Sequence, residues 1–101
     1  IGDLGGLSIA YKAYLLALKG EKAPVIDGLT GEQRFFLAWA QAWRGKVRPE
    51  ELRRRIATDP HSPYEFRCNA IVRNIDEFYT AFGVSESNKL WMNSSERVRI
   101  W

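Results

Sequence analysis

The chain has one cysteine and one histidine among its 101 residues. A lone Cys68 excludes an internal disulfide and any cysteine-rich zinc site. No apolar run approaches the roughly 20 residues that cross a bilayer, so no membrane segment is expected in this chain. There is no HExxH, no glycine-rich phosphate loop, no Ser-His-Asp order and no Cys-His spacing suited to nucleophilic catalysis. A complete catalytic constellation is therefore excluded from these residues. Internal repeats, low-complexity tracts and β alternation are lacking as well. The opening "IGDLGGLSIAYKAYLLAL" has no Met, shows no signal peptide and begins in mid-pattern. It reads as a fragment of something longer.

What is present is aromatic and helical. The composition is 46% hydrophobic and 13% aromatic, with four Trp. Aromatic side chains bury large areas, so this sequence wants a larger core than so short a chain builds alone. The net charge is +3. The densest basic cluster, Arg53-Arg54-Arg55 with Arg48 nearby, reads as a solvated helix face. No aromatic-basic stripe accompanies it, so no nucleic-acid partner is expected.

Periodicity gives an all-α class. Leu7, Ala10, Tyr11, Tyr14, Leu15 and Leu18 recur at helical steps from about Asp3 to Lys19, and Gly20 is placed to stop that helix. Thr30 and Gln33 stand in capping-box spacing ahead of "RFFLAWAQAWR". Apolar residues circle most of this second helix, which predicts burial on more than one side, with Gly45 ending it. Pro49 suits the first turn of a third helix, Glu50 and Glu51 its positive end, and Thr58-Asp59-Pro60 breaks it. The spacing predicts Ser62 as the next N-cap, with Pro63 at the first helical position and Glu65 completing a capping box. Asn74 is expected to cap "IDEFYTAFG", closed by Gly83. An extended tail tied down by Leu90, Trp91 and Trp101 follows.

The candidate functional residues sit in "TDPHSPYEFR". His61 stands just outside a helix start, and Arg67 a little over one turn inside it. An isolated His or Arg there is ordinarily a surface residue, Arg67 pairing with an acid such as Glu65 or Asp59. Four blocks change that reading. "IGDLGG", "DGLTGEQRFFLAWAQAWR", "TDPHSPYEFRCNAIVRN" and a terminal "MN…RVRIW" occur in the order and spacing seen in neprilysin-type zinc metallopeptidases. The chain resembles the carboxy-terminal segment of that family over essentially its whole length.

The resemblance implies a helical carboxy-terminal part of a zincin (thermolysin-like) catalytic domain spanning residues 1–101. It implies a parent enzyme that binds zinc and hydrolyses oligopeptides. Two zinc-binding His and the catalytic Glu come from HExxH, and a further Glu from a Glu-x-x-Ala-Asp motif. All four are expected outside this chain, the last two positions before Ile1. No metal ligand is therefore expected here, and the fragment alone is expected neither to bind zinc nor to catalyse.

By the same resemblance, Asp3 orients a zinc-ligating imidazole, a partnership that fixes tautomer and basicity. His61 stabilises the oxyanion of the tetrahedral intermediate. Arg67 binds the substrate backbone on the primed side. The missing amino-terminal part of the domain is the expected partner, and its absence makes self-association of the fragment an expectation. The family's animal members end in Cys-x-x-Trp. Here Val98-Arg99-Ile100-Trp101 takes that place, which suits a bacterial enzyme of the cytoplasm, the cell envelope or the secreted fraction. The alternatives are a small helical binding module using the Arg48 to Arg55 face, and a relative that binds peptides without cleaving them.

Overall fold

The computed structural model describes residues 1–100. Five α-helices follow in chain order: α1 Gly2–Ala17, α2 Gly31–Ala42, α3 Pro49–Thr58, α4 Tyr64–Val72 and α5 Asp76–Phe82. A single 3₁₀ turn, Ser94–Glu96, interrupts the tail. The all-α expectation holds. Outside the helices, Ile26 and Leu29 close a tight turn through reciprocal backbone hydrogen bonds of 3.1 and 3.0 Å.

Helix starts follow local chemistry where the cap is local. The Thr30 hydroxyl accepts from the Gln33 amide at 3.2 Å, and the Gln33 side chain accepts from the Thr30 amide at 3.0 Å. Two orphan donors at the start of α2 are thereby satisfied. Pro49 opens α3 as expected, and Gly83 closes α5 in the left-handed region at φ 61°. Two predicted caps shift by one residue. The N-cap of α4 is Pro63, with no side-chain cap, so the Ser62–Glu65 box does not form. The N-cap of α5 is Ile75. Asn74 works in tertiary structure instead: its side chain donates to the Ala70 carbonyl at 2.7 Å and accepts from the Val98 amide at 2.7 Å.

The core lies where α1, α2, α4 and α5 meet. Leu4, Leu7, Tyr11, Phe36, Val72, Ile75, Phe78 and Tyr79 are its buried members. Phe36 is the centre, stacked on Tyr11 at 5.6 Å and meeting Phe78 edge-on at 5.6 Å. Offset and edge-on aromatic geometries of this kind add to the gain from burial. The predicted two-sided burial of α2 is only half realised within the chain. Phe36 is 2% exposed while Leu37, the next residue, is 37% exposed. The tail is anchored by Leu90 and Trp91 against the core; Trp101 lies outside the described residues.

The first residue of α2 must be glycine for steric reasons. A Cβ on Gly31 would fall 2.1 Å from the Tyr14 hydroxyl oxygen and 2.4 Å from the Ala23 Cβ. Relieving that overlap requires α1 or the α1–α2 loop to move. Gly31→Ala is expected to destabilise the fold by roughly 1–3 kcal/mol, read as a lower urea midpoint at unchanged slope.

Candidate functional site

Three segments bring the candidate residues together. Asp3 sits in the first turn of α1, Arg67 in the first half of α4, and His61 in the α3–α4 connection. Asp3 and Arg67 meet directly across 64 residues of sequence. Arg67 Nε donates to Asp3 Oδ2 at 2.7 Å, and Nη2 donates to Oδ1 at 2.8 Å. Two parallel bonds of this kind fix the planar guanidinium in position as well as orientation. The expected surface partners Glu65 and Asp59 play no part in it. Arg67 also lies 4.0 Å over the ring centroid of Trp43, the residue that ends α2. Its hydrogen bond to Arg67, then that arginine's charge, hold the Asp3 carboxyl below the usual carboxylate range against the opposing effect of burial.

His61 is held by a neighbour outside the predicted site residues, Asp59. Helix α3 stops at Thr58, and Asp59 turns out into extended backbone at φ −103° and ψ 127°. From there Asp59 Oδ1 accepts the His61 amide at 2.9 Å and lies 2.8 Å from His61 Nδ1. These bonds, the amide one first, keep the Asp59 carboxyl low. A carboxylate at Nδ1 requires the proton there, so Nε2 faces away and carries a second proton only in the imidazolium form. The ring is 65% exposed, open to a ligand.

His61 and Arg67 share the wall of one cavity of about 320 Å³ with Leu52, Arg55, Asp59 and Tyr64. Asp3 lies behind Arg67 and does not line it. The basic run of α3 is partly spent on its own helix, since Arg54 and Arg55 both bond Glu51. These bonds hold the Glu51 carboxyl at about 2. Among the described residues no group of three His, Cys, Asp or Glu side chains could hold a metal ion. Among the same residues no helix is long and apolar enough to cross a membrane.

Comparison with known proteins defines the class. The model of peptidase family M13 matches residues 1–98. Human neprilysin is 41% identical over all of the chain and 14% of its own length. Bovine endothelin-converting enzyme 1 is 37% identical over the whole chain and 14% of its length. Among solved structures, the zinc metalloprotease Zmp1 of Mycobacterium tuberculosis in its open state superposes with a TM-score of 0.97 at 63% identity, over 100% of this chain and 16% of that one. The same protein in complex with an inhibitor gives 0.96. The chain is thus an all-helical member of the neprilysin type. It belongs to peptidase family M13, and it spans about one seventh of the curated relatives it matches, 14% of human neprilysin.

Proposed function

We propose that residues 1–101 form the carboxy-terminal part of the catalytic domain of a zinc metalloendopeptidase acting on oligopeptides. Asp3, His61 and Arg67 are its contribution to the active site. The observation that carries this reading is the joining of Arg67 to Asp3 beside a carboxylate-held His61 on one cavity. Zinc bound by residues outside this chain would act as a Lewis acid on the substrate carbonyl.

His61 Nε2, as imidazolium, donates to the oxygen on which charge develops, and Asp59 holds the ring for that donation. Arg67 keeps Nη1 uncommitted among the described residues and offers it to a substrate carbonyl. Asp3 serves two partners. Each of its oxygens accepts one bond from Arg67 and retains a further lone pair for the imidazole of a metal ligand. One carboxylate would then set the substrate-binding arginine relative to the metal.

The test is hydrolysis of an internal bond in a short peptide by the full-length protein. Activity should vanish with a chelator and return with added zinc. A full-length protein that binds zinc and cleaves no peptide would remove the reading. The isolated chain is expected to be inactive and to self-associate through exposed apolar residues such as Ile9, Leu16 and Phe66, which are 54%, 79% and 60% exposed. Light scattering over a range of concentrations checks this, and a monomer throughout would contradict it.

A further inference from the structure

The cavity wall carries a second arginine built the way Arg67 is built. Arg67 is pinned by a carboxylate, Asp3, and by an aromatic ring, Trp43. Arg55, reaching from α3, is pinned by a carboxylate and a ring too. Its Nε donates to Glu51 Oε1 at 2.8 Å and its Nη1 to the Tyr64 hydroxyl at 3.1 Å, with the guanidinium carbon 5.7 Å from the Tyr64 ring centroid. Each tether leaves one terminal nitrogen uncommitted. Nη1 of Arg67 and Nη2 of Arg55 donate to nothing among the described residues. Both side chains line the cavity that holds His61.

Three features separate Arg55 from an ordinary surface arginine. Its side chain, 38% exposed, is held by two hydrogen bonds, so a ligand would have less freedom to remove from it. Its charge is incompletely offset, because Glu51 is shared with Arg54, which donates two bonds to it. A role confined to tying α3 to α4 uses only Nη1, through Tyr64, and leaves Nη2 without a purpose. The acids on the same wall do not compete for it. Asp59 is engaged with His61, and Glu65 bonds neither arginine.

We propose that Arg55 is a second substrate-binding arginine, whose Nη2 donates to an acceptor oxygen of the same peptide that Arg67 holds. That oxygen is a backbone carbonyl or a terminal carboxylate; a guanidinium edge suits both. The inference rests on the peptidase reading above and adds a second point of attachment to it.

The experiment measures kcat and KM in the full-length protein for one peptide in free-acid and carboxy-amidated forms. Arg55→Gln is expected to raise KM about tenfold, the scale of one charge-assisted hydrogen bond, with kcat little changed. Tyr64→Phe, which unties Arg55, should give a smaller rise. A rise confined to the free acid assigns the oxygen to the carboxylate, and an equal rise in both forms assigns it to a carbonyl. If Arg55→Gln also lowers Tm, KM is compared at a temperature where both proteins are folded: a raised KM upholds the role, and a wild-type KM overturns it. Unchanged KM for both peptides, with hydrolysis intact, overturns the role of Arg55 and leaves the peptidase reading standing. Absence of hydrolysis by the wild-type protein overturns both.

Discussion

On the proposed role, replacing His61 by Ala in the full-length protein should lower kcat on the order of 100- to 1000-fold, the cost of losing one donor to a developing oxyanion. KM should move far less, because the bond strengthens as charge appears on the oxygen and contributes little to ground-state binding. The structure predicts little collateral damage. The ring is 65% exposed and among the described residues bonds only Asp59, so folding should be close to wild type. Asp59→Asn is the informative companion. It keeps the shape and the acceptor oxygen but removes the charge beside Nδ1, so the imidazolium loses its partner. A loss in kcat smaller than that of His61→Ala, with KM and Tm unchanged, would identify Asp59 as a positioning residue. Equal kcat in His61→Ala and wild type would remove His61 from the chemistry altogether.

The histidine's partner was within reach of the sequence. Asp59 and His61 are two residues apart in a Thr-Asp-Pro-His stretch, and Asp side chains commonly accept a bond from an amide two positions on. Expected as a helix breaker and as an acid within reach of Arg67, Asp59 pairs instead with His61. The Thr30 cap was fully legible, because both of its bonds are local. Asn74 fits the same local pattern, yet its carbonyl oxygen is claimed by the Val98 amide, 24 residues on. Local pattern cannot announce a tertiary competitor. The Asp3–Arg67 bridge is the extreme case at a separation of 64 residues. The four matching blocks marked both residues as functional without implying that they touch. Trp43 is one of the apolar residues that circle α2, and its placement under Arg67 depends on where α4 docks. Helix identity was thus encoded in periodicity and breakers, while the wiring of the site required the packed fold.

That wiring includes the tail, where a large stability effect is expected. Arg97 is 8% exposed, and each of its three guanidinium nitrogens donates one hydrogen bond. Its Nε and Nη2 donate to the Met92 carbonyl at 3.1 and 3.0 Å, its Nη1 donates to Asp76 Oδ1 at 2.7 Å, and its guanidinium lies 3.5 Å over the Tyr79 ring. Asp76, in the first turn of α5, also bonds Arg99. Asp76→Ala leaves a nearly buried guanidinium without its counter-charge. The usual cost of about 3–5 kcal/mol for such a broken pair is reduced here because Asp76 is 46% exposed, so a loss of about 2 kcal/mol is expected. Arg97→Met should cost less, since it fills the slot over Tyr79 and strands no buried charge. Acid gives an independent check. Arg97 foremost holds the Asp76 carboxyl below its ordinary value of 3.8, so the folded chain takes up this proton less readily than the unfolded one. Stability from the pair is therefore complete above that value and is lost as pH falls through and below it. Urea midpoints should drop less steeply on acidification in Asp76→Ala than in wild type. Parallel pH profiles would mean that the tail is held by packing of Leu90 and Trp91 and not by its arginine.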